Sequence, residues 1–388
     1  VRGPSPVEGQ TYNIGAKFTL TPNKDHDIWL DLERYRQTFE NDECQLGSLD
    51  GLQRDCTEGP NASVWGYQDK LRFNRDQIAL GHTSRFSFGT LESSIMRSKT
   101  ETLGRTIPRA ARIDANDPDI GSGRELKTVN NVFDTKLVAP VGENHLLTVG
   151  GQYWRATLTD GLVSDEFKQS MYSFFAEDEW MLRDDLTFTF GARYDHHDAF
   201  GGQVSPRGYL VWNPTDNWTL KGGVSRGFKT PNLNQLHAGV NNITRQGNDV
   251  GVGNPDLQPE VSTSSELGIH YDSHQGWSAG VTAFHNRIKD KISSTDCDVA
   301  WIPNCAAAAP YNPSRPVSYD INLDRATTQG LEFTGSVQLT DTWSLRANYT
   351  YTDTEVKREG QNIGDLGDTP KHGAKASVRW EATERYIL

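Results

Sequence analysis

Apolar and polar residues alternate one by one along several stretches of this chain. In Leu186–Asp195, every second side chain is apolar, and threonine, glycine, arginine and aspartate lie between them. The same pattern recurs in Trp218–Ser225 and Trp343–Thr352. Successive side chains of a β-strand point to opposite faces, so each stretch predicts a strand with one apolar and one polar face. The polar faces carry arginine, lysine and asparagine in strands of about ten residues, which favours a membrane barrel with lipid outside and water inside.

The connections between the predicted strands alternate between short and long. Short connections are predicted at Thr21–Asp27, Arg85–Gly89, Pro140–His145, Arg183–Asp185, Asn213–Asn217, Ser273–Gly276 and Leu339–Thr342. Long connections are predicted at Glu40–Tyr67, Thr100–Arg124, Asp160–Phe167, Phe228–Glu260, Ser293–Ser318 and Asp353–Thr369. Strict alternation places all tight turns on one rim, as in outer-membrane barrels with short periplasmic turns. We therefore predict an all-β, antiparallel up-and-down transmembrane barrel of about fifteen strands, forming one domain over residues 1–388.

Tryptophans recur beside the short connections. The residues concerned are Trp29, Trp180, Trp212, Trp218, Trp277 and Trp343. Amphipathic indole rings settle at membrane–water interfaces, so this repetition predicts an aromatic girdle near the short-turn rim. Ordinary packing of strand aromatics in a core is the alternative.

Composition narrows the class of protein. Hydrophobic residues make up 35% of the 388 residues, and no run of 18 or more apolar residues occurs, which excludes transmembrane helices. The formal net charge of −12 argues against a nucleic-acid partner, because binding to phosphates needs a basic surface. Four cysteines fall into two local pairs, Cys44 with Cys56 and Cys297 with Cys305. Their short spacing within predicted loops indicates two disulfides and an oxidising compartment, with a zinc site as the weaker alternative.

Several motifs give the chain a family resemblance. They are Ser225–Leu233, Asn254–Glu260, Gly330–Gly335, Asn348–Tyr351 and Thr369–His372. Together they resemble TonB-dependent outer-membrane receptors, in which an aromatic–Lys–Thr–Pro strand end is followed by a long loop and an NPDLxPE-like segment. Arg193–His197, followed by Ser205–Pro206, and Asn41–Gly47 resemble the ferric-enterobactin, or catecholate siderophore, branch.

The resemblance implies a function and a set of partners. Family barrels have about 22 strands and a plugged lumen, so we expect this chain to be incomplete at both ends, without the plug and its TonB box. The implied partners are a ferric siderophore, the TonB complex acting through the plug, outer-membrane lipid and, opportunistically, a colicin or phage. No resident cofactor is expected, because iron arrives as cargo bound to the siderophore.

Basic and aromatic residues of the long loops are the candidate ligand contacts. They are Arg105, Arg109, Arg112, Arg245, Trp301, Tyr311 and Arg315. A ferric tris-catecholate is a trianion with flat aromatic faces, which arginine meets by charge-assisted hydrogen bonds and stacking. Ordinary solvation of these loops is the alternative for any single residue.

Two further motifs suggest metal binding only superficially. His196 and His197 are adjacent in a predicted strand and therefore point to opposite faces, which prevents them from sharing one ion. The acidic segment Asp114–Glu125 has Pro118 and Asp119 where a calcium loop requires a ligand and a glycine, so a solvated loop is expected. No nucleophile–base pair or phosphate-binding loop suggests an enzyme. The rival functions are a passive porin, a surface adhesin, and a TonB-dependent receptor for haem, cobalamin or a carbohydrate.

Overall fold

Long strands make up most of the protein. The structure is a computed structural model that describes residues 9–40, 66–109, 112–163, 166–244, 249–298, 300, 302–311, 316–383 and 386–387. The strands are β1 Gly9–Asn23, β2 His26–Glu40, β3 Tyr67–Phe86, β4 Gly89–Arg105, β5 Leu126–Val141, β6 His145–Asp160, β7 Glu166–Arg183, β8 Leu186–His197, β9 Gly201–Thr215, β10 Trp218–Lys229, β11 Val240–Thr244, β12 Asp249–Val252, β13 Glu260–Asp272, β14 Trp277–Asp296, β15 Ser318–Gln338, β16 Trp343–Arg358, β17 Gln361–Gly364, β18 His372–Thr383 and β19 Tyr386–Ile387. Short 3-10 helices cover Leu233–Leu236 and Pro303–Ala308. None of the helices in these ranges is long and apolar enough to cross a membrane.

The long strands pair in chain order. Fifteen described strands have 12 to 21 residues, and each pairs antiparallel with the next long strand, from β1–β2 through β10–β13 to β16–β18. The remaining four described strands, β11, β12, β17 and β19, have two to five residues. The predicted antiparallel up-and-down architecture is confirmed, and the fifteen long strands match the predicted number.

The seven predicted short connections are all present, but the long ones are not strictly alternating. Strands β8 and β9 are joined at the long-connection end by residues 198–200 alone. Three strands also continue well into predicted loops, because β4 extends to Arg105, β14 to Asp296 and β16 to Arg358. Among the described strands, the expectation of strict alternation is wrong only at the β8–β9 connection.

The two faces of the sheet differ as the alternation predicts. Phe190 and Tyr194 of β8 are 41% and 40% exposed, and Phe174 and Val204, which are in register with Tyr194, are 62% and 52% exposed. The opposite face carries Arg193 and Asp195, and Asp195 is only 2% exposed because polar neighbours cover it. A large exposed apolar face is stable only against lipid, so we call it the outward face. The polar face is inward.

The predicted aromatic girdle is present, with one exception. Trp180, Trp212, Trp218, Trp277 and Trp343 are exposed on the outward face near the short turns. Trp343 stacks on Trp380, with ring centroids 5.2 Å apart. Trp29 lies on the inward face instead, in register with Thr19 and with the Lys17 ammonium 5.2 Å from its ring. It was misplaced because closeness to a turn does not determine which face a side chain takes.

Candidate functional site

Three long connections meet beyond the same end of the sheet. Strand β12, from the β10–β13 connection, pairs in parallel with the start of β15 through Gly251 and Ser318. The β4–β5 connection joins the β14–β15 connection where the Ile113 amide donates to the Pro310 carbonyl at 3.1 Å. We call this group of connections the loop assembly, defined by residues 106–125, 230–259 and 297–317.

The loop assembly has its own hydrophobic core. The buried residues are Val240, Ile243, Val250, Val252, Ala308 and Tyr319, with Leu162, Cys297, Ile302, Tyr311, Val317 and Ile321 packed against them. Val250 and Val252 are each 1% exposed, as completely buried as residues in a domain interior. The predicted disulfide between Cys297 and Cys305 is present, with the two Cα atoms 5.7 Å apart, and it anchors the Pro303–Ala308 helix to the end of β14. Packing of this kind holds the loops in one arrangement.

A buried ion pair connects the loop assembly to the sheet. Arg124 donates from Nε and Nη2 to the two carboxylate oxygens of Asp160, each at 2.9 Å. Its third donor, Nη1, reaches the Ile243 carbonyl of β11 at 2.9 Å. The side chains of Arg124 and Asp160 are 6% and 4% exposed. Two parallel hydrogen bonds satisfy both charged groups. Removal of either partner would leave the other charge buried and unpaired.

Two of the predicted ligand contacts, Arg112 and Tyr311, lie against each other. The Arg112 guanidinium lies 4.4 Å from the Tyr311 ring centroid, and the two residues form an isolated bridge. Arg112 also lies 3.4 Å from the Asp117 carboxylate and 3.2 Å from that of Asp119, and its side chain is 9% exposed. Burial raises the pKa of Tyr311, against the opposing effect of the Arg112 charge. Among the described residues, Arg112 and Tyr311 join two of the long connections, and the two aspartates balance the charge of Arg112.

The acidic segment provides the local turns for that contact. Asp114 accepts a hydrogen bond from the Asn116 amide at 2.8 Å, and Asp117 accepts one from the Asp119 amide at 2.9 Å. Such side-chain-to-backbone bonds are the usual reason that aspartate favours turns. Among the described residues, no group of three or more His, Cys, Asp or Glu side chains is arranged to hold a metal.

Arg105 and Arg109 differ from Arg112. Arg105 ends β4, and its buried Nε, like that of Arg112, has no hydrogen-bond partner among the described residues, but unlike Arg112 it forms no ion pair with a described carboxylate. Arg109 is exposed, and no carboxylate of the described residues pairs with it. A buried guanidinium donor without a partner suits an anionic ligand, because such a donor otherwise costs free energy. Arg245, Trp301, Arg315, Cys44 and Cys56 lie outside the described residues, so the predictions for them stay predictions.

The inward wall carries a hydrogen-bonded group that was not among the predicted ligand contacts. Arg193 donates to Asp195 at 2.8 Å, to Ser173 at 2.8 Å and to Gln152 at 3.0 Å, and Gln152 donates to Asp134 at 2.6 Å. Asp134, Gln152, Ser173 and Asp195 form one register row across β5, β6, β7 and β8, and Arg193 of β8 lies one step closer to the short turns. They line the polar interior below the loop assembly.

The neighbouring histidines lie as predicted, on opposite faces. His196 packs outward against Tyr172, with ring centroids 4.9 Å apart. His197 is 1% exposed on the inward face, where its Nδ1 accepts from the Ala199 amide at 3.0 Å. The two rings therefore do not share an ion.

Comparison with known proteins agrees with this architecture. Residues 5–387 match the family described as TonB dependent receptor-like, beta-barrel. The chain is 31% identical over 378 residues to the iron-regulated outer membrane virulence protein of Vibrio cholerae, covering 96% of this chain and 53% of that protein. It is 27% identical to the ferric enterobactin receptor of Pseudomonas aeruginosa, covering 82% of this chain and 46% of that protein. The chain thus spans about half the length of the curated relatives it matches.

A solved structure shows the same fold. The siderophore receptor PirA from Pseudomonas aeruginosa superposes with a TM-score of 0.70 at 23% identity, over 97% of this chain and 58% of that one. The family resemblance drawn from the sequence motifs is confirmed, and so is the outer membrane as the compartment. The chain belongs to the TonB-dependent receptor-like β-barrel family.

Proposed function

We propose that this chain forms the barrel and ligand-capturing loops of an outer-membrane receptor for a ferric catecholate siderophore, whose import is energised through TonB. The observation that carries the proposal is the packed loop assembly at one end of a family barrel, with Arg105 at the adjoining end of β4 and Arg109 within the assembly. Among the relatives are proteins named ferric enterobactin receptor and ferrienterobactin receptor. Iron enters as cargo of the siderophore in this proposal, the protein performs no chemical conversion, and no resident cofactor takes part.

The two carboxylates beside Arg112 distinguish it from Arg105 and Arg109 as a candidate ligand contact. A trianionic ligand is held best by guanidinium groups that no carboxylate already neutralises. Arg105 and Arg109 meet this condition among the described residues, whereas Arg112 already lies beside Asp117 and Asp119. Arg112 and Tyr311 are then positioning residues that keep the loops joined.

Iron-starved growth tests the function. A deletion strain should fail to grow when a ferric catecholate is the sole iron source and grow like wild type on a hydroxamate. Rescue of the deletion strain by catecholates would contradict the siderophore class, and failure on haem alone would assign a different cargo.

Substitution tests the assigned arginines. We expect Arg105→Ala with Arg109→Ala to weaken ferric-catecholate binding at least tenfold in the complete receptor, because two charge-assisted contacts are lost. Arg183→Ala, on the opposite rim, is the matched control and should leave binding unchanged. Unchanged affinity in the double variant, with normal surface levels, would reject these two contacts.

A further inference from the structure

The outward face carries a row of polar side chains at the upper limit of its apolar band. Pairing registers place Arg97 of β4, Asn131 of β5, Arg155 of β6 and Ser170 of β7 side by side. One step closer to the short turns, the same strands present Ile95, Phe133, Tyr153 and Tyr172. These four are between 43% and 58% exposed. The row therefore lies where the lipid-facing surface changes from apolar to charged.

The two arginines in this row have no charge partner. Arg97 donates to the neutral amide oxygen of Asn131 at 3.0 Å, and both Arg97 and Arg155 are exposed. No ion pair involves either of them in the described part of the chain. By contrast, Arg34 lies 3.0 Å from the Asp76 carboxylate on the same face.

Nearby charges are already neutralised. Lys99 and Lys168, in the next row away from the short turns, pair with Glu101 and Glu166 on their own strands. Asp198, at the end of the row, accepts hydrogen bonds from the amide and hydroxyl of Ser170 at 2.7 and 3.1 Å. Within this row, the unpaired positive charges are therefore those of Arg97 and Arg155.

Spacing suits one anionic group between the two arginines. Alternate strands of a sheet lie about 10 Å apart, so two long side chains can approach a group above the intervening Asn131 from both sides. Guanidinium groups bind phosphate oxygens by paired, charge-assisted hydrogen bonds. The apolar row directly below would contact hydrocarbon attached to that phosphate.

The arrangement occurs a second time. Arg226 of β10 and Arg287 of β14 flank Thr263 of β13 in another outward row, and both arginines are exposed. Neither forms an ion pair among the described residues. Two unpaired arginines on alternate strands thus recur on separate parts of a chain whose formal net charge is −12.

We propose that the Arg97–Arg155 pair binds the phosphate of a lipid in the outer leaflet, and that the Arg226–Arg287 pair is a second such site. Charge complementarity selects an anion at both pairs, and the apolar row beside Arg97 and Arg155 selects one that carries acyl chains. The long connections are extracellular in barrels of this family type, which places both arginine pairs at the level of the outer leaflet. This lipid contact is independent of siderophore capture.

Native mass spectrometry of the purified complete receptor tests the proposal. The probes are diphosphoryl lipid A and the same acylated disaccharide without phosphates. We expect Arg97→Gln with Arg155→Gln to lower affinity for the diphosphoryl form at least fivefold. Arg34→Gln, which removes an already paired outward arginine, is the matched control and should change it less than twofold. The dephosphorylated lipid should bind all three proteins alike.

Three results would overturn the proposed lipid contact. Equal affinity of the double variant and wild type for diphosphoryl lipid A would overturn the proposal, and so would an equal loss in Arg34→Gln. Retained heat-modifiable migration on gels shows that a variant is folded. If the first pair does not fold when substituted, Arg226→Gln with Arg287→Gln provides the second reading, with the same expected loss. Inorganic phosphate alone should show no saturable binding at millimolar concentration, and binding equal to that of the lipid would overturn the lipid assignment.

Discussion

The two ends of this sheet are stabilised in different ways. At the short-turn rim, the ion pairs are exposed to solvent: Arg183 pairs with Asp185 across a tight turn, and both side chains are well exposed. At the other end, contacts join distant segments: Arg124 binds Asp160, 36 positions away, and the Ile243 carbonyl, 119 positions away. The rim is held by register and interfacial aromatics, whereas the loop assembly is held by a small buried core. Loss of a single contact should therefore matter more in the loop assembly.

The largest difference is expected from the buried ion pair. Asp160→Ala leaves the Arg124 guanidinium buried without its carboxylate, which should destabilise the loop assembly by about 3 kcal/mol. Hydrogen exchange of the amides in residues 112–125 should accelerate accordingly, while the amides of β8 stay protected. Replacing both partners, Arg124→Met with Asp160→Leu, should restore part of the protection, because no buried charge remains. Unchanged exchange in Asp160→Ala would show that the pair does not hold the loops.

An intermediate effect is expected from the disulfide. Cys297→Ser with Cys305→Ser removes a cross-link that closes a short loop, worth about 2.5 kcal/mol in the chain-entropy model. Limited proteolysis should cut the β14–β15 connection faster in this variant than in wild type. Reduction of the wild-type protein should reproduce the change, and reduction of the variant should add nothing.

The smallest effect is expected at the short-turn rim. Asp185→Ala removes the partner of Arg183 and an acceptor for the Trp212 indole, which it meets at 2.9 Å. Both contacts are exposed, so the loss should stay below about 1 kcal/mol. Urea unfolding followed by tryptophan fluorescence measures it. A loss as large as that of Asp160→Ala would remove the contrast between the two ends.

The strands could be predicted because their determinant is local. Alternation along Leu186–Asp195 depends only on the residues themselves and on the demand for lipid on one face and water on the other. The seven short connections followed from the same local signals. The prediction for Trp29 was wrong because it considered only the distance from a turn and not which face of the alternating strand the residue occupies.

The loop assembly could be predicted only in part. Two cysteines only eight positions apart indicated the Cys297–Cys305 bond, since a short spacing is a local signal. Arg124 gave no such signal, because its partners lie in other connections. Strands β11 and β12 were likewise missed: each has only two large apolar residues, and these are buried by packing against neighbouring connections.

The parallel pairing of β12 with β15 has a consequence for the order of assembly. The disulfide joins cysteines eight positions apart, whereas the Ser318 hydroxyl donates to the Val250 carbonyl across 68 positions. Closing a longer loop costs more chain entropy, so the local bond and the antiparallel hairpins can form before the long-range pairing does. The loop assembly therefore completes its packing on a wall whose hairpins have already formed, which makes the ordering of the loops a separate, later step of folding.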